Sequence, residues 1–506
     1  MANTAFKTFA RDNGGRVSLL FLLFLLAIYS FITSGFTIFA IICMLPVLVL
    51  AVITTFHYKM FSFWALIVIN YIIQMKNMSL PIPTSVPNEM FEIILLALAV
   101  IDVQETKFER IGNLMFLSLI VWCSFCTLEV LNDTCSIGID VGAWFTTARS
   151  IAYQIMYAFL VFSIYISNPK ILTKYLIVWG CLALFSVFWV WKQKNLGFTA
   201  AESSFINGRG RLTHVLQGGS LIRYFSIYGD AANFGIGVAS TAIAFLVFGI
   251  TSKIKRHRWF FLITGLCCTW AIFPSGTRTA IVCLGAGIMA YVFLSKSVKI
   301  AVPVTLLFGI IFFILAFTKI GDGNSQIRRM RSAFDKNDAS ANQRSINQEA
   351  MKKYLKEAPW GIGMAVGYKN VPANNKFTFM ATVPPDSEYV FIWIHTGIIG
   401  ITTFLICVAM MLSGACWIVL FKLKSSSLRG IGAGFCCAMV SQQLGGYGNQ
   451  VLMQFPNCLV FFGGLAIVYV LPYMETEWEA YESEQIAKEE ERKRLKLEKK
   501  KASRPE

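Results

Sequence analysis

Charged side chains are scarce in this chain. Asp, Glu, Lys and Arg make up 14% of its 506 residues, and 56% are hydrophobic, where an ordinary soluble domain is about a quarter charged. That balance excludes a water-soluble globule of this size. Acidic residues are the scarcer sign, 28 against 45 basic, which leaves a net charge of +17. The excess does not point to nucleic acid, because the basic residues cluster in short segments between apolar runs, the pattern that orients membrane proteins. Histidine is rarer still, and His57, His214, His257 and His395 are too scattered for a metal site. Cysteine is plentiful, but most of the thirteen lie within apolar runs, and the C-x-x-C of Cys123 and Cys126 sits inside MFLSLIVWCSFCTLEV. There the thiols pack between helices, whereas redox or zinc chemistry needs exposed thiolates. No small-x-small cleavage site follows the first run, VSLLFLLFLLAIYSFIT, and a second begins at Phe36, so the segment reads as a retained signal anchor.

Apolar runs of about 17–25 residues, each long enough to cross a bilayer as a helix, recur from end to end. About fourteen spans are expected, near 17–33, 36–56, 60–75, 91–104, 112–130, 150–167, 170–190, 234–252, 259–273, 279–295, 298–318, 389–421, 430–446 and 455–472. Alternation puts the N-terminus, HYK (57–59), ETKFER (105–110), Lys170 with Lys174, SKIKRHR (252–258), SKSVK (295–299), KLKSSSLR (422–429) and the C-terminal tail on one side, which their positive charge marks as cytoplasmic. The expected fold is an all-α polytopic membrane protein with both termini cytoplasmic. Its parts are N-terminal spans (1–190), a basic extracytoplasmic loop (191–233), central spans (234–318), a large extracytoplasmic loop (319–388), C-terminal spans (389–472) and a charged tail (473–506).

The two long loops are rich in basic residues on the face where topology gives no reason for them: Arg209, Arg211 and Arg223 in the first, Arg328, Arg329, Arg331 and Arg344 in the second. Between them Arg278, in FPSGTRTAIV, joins two spans at the same outer level, and a charge so close to hydrocarbon marks a functional position. Guanidinium groups grip phosphate oxygens bidentately and keep their charge, so the pattern suits a lipid-linked diphosphate. In the second loop ASANQRSINQEAMKKYLKEAP (339–359) reads as an amphipathic helix ended by Pro359, with Ile346, Met351, Tyr354 and Leu355 on one face. A glycine-rich turn, WGIGMAVG, comes next, in which Gly361 and Gly363 let backbone N–H groups approach a ligand. Asp386 and Glu388 then mark re-entry into the membrane. They are either ion-pair partners of the arginines or a general base, and Asp386 is also a candidate helix cap.

Three segments resemble the O-antigen ligase and polymerase family: Arg223-Tyr-Phe-Ser-Ile-Tyr-Gly-Asp-Ala-Ala-Asn-Phe-Gly; Ser275-Gly276-Thr277-Arg278-Thr279; and Arg344 through Pro359-Trp-Gly-Ile-Gly to Thr396-Gly397-Ile-Ile-Gly400. The likeness covers about 205–405. It implies a GT-C-like helical bundle that transfers a glycan from an undecaprenyl-diphosphate-linked donor to a sugar hydroxyl outside the inner membrane, with no cofactor or metal. Carried over by position, Arg278 binds the donor diphosphate, with Arg223 and then Arg211 or Arg209 as a second clamp. The sequence departs from the ligases at Pro385-Asp386-Ser387-Glu388-Tyr389, which lacks their histidine; His395 lies further on, inside the span. That favours a repeat-unit polymerase over a ligase acting on a lipid A-core acceptor, and leaves Asp386 or Glu388 as base. A flippase is the remaining alternative, disfavoured because the span interiors are poor in charge. The tail reads as a solvated helix, with anionic lipid or a chain-length regulator as alternative partners.

Overall fold

The structure, a computed structural model, describes residues 58–76, 85–104, 107–216, 221–296, 325–331, 339–366, 371–382 and 386–502, with isolated positions within 18–54 and 302–323. The chain divides into two units after Trp64, and the larger, from Ala65 onward, contains nearly all of the described helices. The expected spans at 17–33, 36–56 and 298–318 lie outside the continuously described segments.

Every other expected span coincides with a helix. In chain order they are α1 (Lys59–Ile72), α2 (Ser85–Ile101), α3 (Leu114–Leu128), α4 (Val141–Ala148) continuing through a π turn into α5 (Gln154–Tyr165), and α6 (Pro169–Asn195). The first loop holds α7 (Ala200–Asn207), α8 (Arg211–His214) and a small hairpin of β1 (Val215–Leu216) and β2 (Leu221–Ile222). Then come α9 (Ala231–Thr251), α10 (Lys255–Ser275) and α11 (Arg278–Leu294), the loop helices α12 (Ser325–Arg331), α13 (Ala339–Leu355) and α14 (Thr378–Thr382), and finally α15 (Glu388–Trp417), α16 (Ser426–Gly448), α17 (Asn457–Val470) and α18 (Glu475–Ala502). Five described helical stretches are long and apolar enough to cross a membrane. The protein is an all-α, multi-pass membrane protein.

The helices begin where their sequences supply caps. Asn113 accepts from the amides of Met115 and Phe116, Asn168 from Ile171 just ahead of Pro169, and Asp230 from Ala232 and Asn233, satisfying amides that a helix leaves open at its start. At the centre Trp179 of α6 packs against Phe245 and Phe248 of α9, Phe435 of α16 and Phe461 of α17. Helix α9 is buried nearly all round and packs most extensively against α10 and α16. Polar side chains tie the starts of α9 and α17 together: Asn233 donates to the Phe455 carbonyl at 2.8 Å, and Asn457 to the Asn233 carbonyl at 3.2 Å. Helix α2 departs from the expected charge-poor interior, since it buries Glu92 and pairs Glu89 with Arg149 at 3.2 Å.

Helix α13 forms as expected but ends at Leu355. Met351 and Leu355 are buried with Val390 and Ile394 of α15, and Tyr354 packs beside them. Ile346 does not share that face, being 62% exposed. The seam against α15 is narrower than the apolar pattern suggests, because it uses only the last turn and a half of α13.

Candidate functional site

The site grows around the turn Ser275-Gly276-Thr277-Arg278. Helix α10 runs through Pro274 to Ser275, and Gly276 closes it in the left-handed conformation, φ 58°, its amide returning to the Phe273 carbonyl at 3.0 Å. A side chain there is strained by the backbone and would meet Arg223 Cγ at 3.1 Å. Helix α11 then starts with Arg278 as its first residue. A cation in that place opposes the helix dipole, whereas an anion there gains from both.

The first loop is laid against this turn. The Tyr224 amide donates to the Pro274 carbonyl at 3.1 Å, an acceptor left open because the helix ends at Gly276. Arg223 donates to Thr277 Oγ1 at 3.0 Å and to the Thr213 carbonyl at 3.0 Å; the Thr277 hydroxyl in turn donates to the Ala231 carbonyl at 2.7 Å. Burial pushes the Arg223 guanidinium below its usual range; Asp230 opposes this, and the like charges of Arg278 and Arg344 add to it. Arginine starts so high that it stays cationic. Arg223, from the first loop, is thus seated on the residue just before Arg278.

His214 sets the hairpin that carries Arg223. Its Nδ1–H donates to the Gly210 carbonyl at 3.1 Å and its Nε2 accepts from the Ala231 amide at 3.2 Å, an arrangement open only to the neutral ring. Burial foremost, then the Arg223 charge, pushes His214 down to about 4.

The second loop supplies the other wall. Arg329 of α12 donates to the Gly276 carbonyl at 2.7 Å, and Arg344 of α13 pairs with Asp386 at 3.8 Å. Beside that pair is an open cleft of about 230 Å³ lined by Arg344, Asn347, Gln348, Asp386 and Ser387. Asp386 is not the helix cap: Ser387 holds that position, and its hydroxyl donates to the Gly446 carbonyl at 3.1 Å.

The remaining expected site residues fall elsewhere. Glu388 is only 4% exposed and turns to the backbone amides of Val451, Leu452 and Met453, with Leu452 at 3.2 Å. Arg209 and Arg211 are exposed on the approach to the hairpin, with no hydrogen bond or ion pair to the arginine group among the described residues. Gly361 and Gly363 take positive φ, 77° and 94°, but the Ile362 and Gly363 amides donate to the Ile394 and His395 carbonyls at 2.9 and 3.1 Å. The turn is thus spent on α15, where Gly397 breaks the helix against the Pro359 carbonyl. His395 is buried, its Nδ1–H donating to the Gly363 carbonyl at 3.0 Å.

Residues 261–405 match a protein-family model described as O-antigen ligase. Over these residues the chain is similar to the O-antigen ligase family. The matched segment begins inside α10 and ends inside α15, so it takes in the Gly276 turn, Arg278, Arg329, Arg344, Asp386 and Gly397. Arg223 lies outside it and is brought in by the fold. No curated protein matches the chain. Arg329 is the site residue that sequence reasoning did not single out. Arg328, Arg329 and Arg331 share a short helix, and which of them meets the turn depends on how that helix is rotated.

Proposed function

We propose that this protein is a glycosyltransferase of the bacterial inner membrane. It joins oligosaccharide repeat units carried on undecaprenyl diphosphate, at a site facing the periplasm. The family match supports O-antigen ligase-type chemistry. The observation that carries the finer reading is that Arg223 and Arg329 both donate hydrogen bonds to the turn that leads into Arg278. Holding like charges together is costly, and a multiply charged diphosphate at their centre offsets that cost.

In this reading an acceptor sugar hydroxyl attacks the anomeric carbon of the donor. The new carbon–oxygen bond forms as the bond from that carbon to the diphosphate oxygen breaks. The electron pair leaves on the diphosphate, where Arg278 and Arg223 meet the growing charge. The hydroxyl proton passes to Asp386, about half exposed at the mouth and oriented by Arg344. Thr277 and the His214 hairpin position Arg223, and Glu388 fastens the entry of α15. Polymerase is favoured over ligase because the cluster at 385–389 has no histidine and His395 is engaged with the Gly363 carbonyl.

The test is Arg278→Ala and Arg278→Lys expressed in cells lacking the native gene, with surface glycan run on a gel beside wild type. Loss of the long ladder with a single repeat still attached to lipid A-core supports the polymerase. Loss of all attached repeats, with polymer accumulating on the carrier, replaces it with the ligase. An unchanged ladder in both variants removes the catalytic reading.

A further inference from the structure

The C-terminal helix α18 carries its charge in two blocks: Glu dominates from Glu475 to Glu491, and seven of the ten residues from Arg492 to Lys501 are basic. A solvated helix does not account for the surroundings of the acidic block. The acidic block is committed to the protein. Glu475 accepts from the Lys424 and Ser425 amides, Glu482 pairs with Lys253 at 2.8 Å, and Glu489 accepts from the Lys255 and Arg256 amides at 3.2 and 2.9 Å. These glutamates recur every seven residues and so share one helix face, on which Trp478 also donates to Ser427 Oγ at 2.9 Å. About 21 Å of helix is strapped in this way to the connectors that lead into α10 and α16.

Those connectors are two of the basic segments that flank apolar spans, so the strap holds α18 at the level of the bilayer headgroups. The basic block continues the same helix past the last connector. Arg492, Lys493, Arg494 and Leu495 are exposed there, and among the described residues no ion pair ties those three cations to an acidic group. We propose that the basic block is a docking surface for anionic phospholipid headgroups of the leaflet that these connectors face. The acidic half registers the helix on the protein, and the basic half lies on the lipid, where clustered Lys and Arg gain jointly from the negative surface potential.

The test uses the full chain in nanodiscs of phosphatidylcholine alone or with one third phosphatidylglycerol, with amide hydrogen exchange followed peptide by peptide. Exchange across 490–502 is expected to slow about tenfold in the anionic discs only. The difference is expected to vanish in high salt, where the screening length falls to about 3 Å, and to shrink in the triple variant Arg492→Gln, Lys493→Gln, Arg494→Gln. The strapped stretch 475–489 is expected to exchange at one slow rate in both lipids. Equal, fast exchange of 490–502 in the two lipids overturns the proposal. Equal, slow exchange also overturns it, since the block would then be docked on the protein.

Discussion

Arg223 and Thr277 lie 54 residues apart, yet they work as one unit, since the hydroxyl that receives the guanidinium is itself pinned to Ala231. Thr277→Val keeps the volume and removes both bonds. A hydrogen bond to a charged group contributes roughly 1.5–3 kcal/mol, so transfer is expected to fall about tenfold to a hundredfold at equal protein level, measured as polymer formed by isolated membranes; an unchanged rate would mean that Arg223 needs no seat. His214 gives a pH signature. Its folded pKa of about 4 lies below the ordinary 6.5, so the unfolded loop binds the extra proton first. The contribution is complete above about pH 6.5 and is lost as pH falls toward 4, at most about 3 kcal/mol. Protection against hydrogen exchange in 191–233, taken relative to the intrinsic amide rate at each pH, is expected to fall over that window in the wild type, and to lose the dependence in His214→Gln. At this scale motifs marked Arg278 and Arg223 as candidates, and the fold seats Arg223 on Thr277, the residue before Arg278. The sequence did not separate Asp386 from Glu388: both stood as candidate bases, but one faces Arg344 and the other the backbone of Leu452, a difference of direction that spacing does not encode.

Among the elements, the passage from α13 into α15 depends on close backbone approach. A Cβ at Gly361 would lie 2.5 Å from the Gly397 amide, and one at Gly397 would meet the Pro359 carbonyl. Gly397→Ala is therefore expected to displace the 359–366 turn and cost several kcal/mol, since both packing and backbone are violated. The measurement is the melting temperature of the purified protein. Gly276→Ala is the milder control, a strained φ with only the flexible Arg223 chain to move, expected near 1 kcal/mol; equal melting of Gly397→Ala and wild type would refute the packing argument. Helices were the most legible part of this molecule, because an apolar run of membrane length has few other ways to satisfy its backbone. The glycine turn after Pro359 was legible as a turn but not in its use. The same pattern serves a ligand or a neighbouring helix, and here its amides go to Ile394 and His395.

For the whole molecule, the basic residues serve two ends that composition alone does not separate. Those in short connectors are expected to orient the chain, whereas Arg223 and Arg329 are brought by tertiary structure to the turn that leads into Arg278. Orientation is tested by reporter fusions: a fluorescent protein after Glu506 should fold in the cytoplasm, and alkaline phosphatase inserted near Lys369 should be active outside; the reverse pattern would invert the site. The most direct measurement of the central claim is binding by the purified wild-type protein of undecaprenyl diphosphate and of undecaprenyl monophosphate, each read as a shift in melting temperature. The arginine account predicts a saturable shift larger for the diphosphate, reduced in Arg278→Lys and absent in Arg278→Ala. Equal shifts for the two lipids, or a shift unchanged by Arg278→Ala, would contradict it.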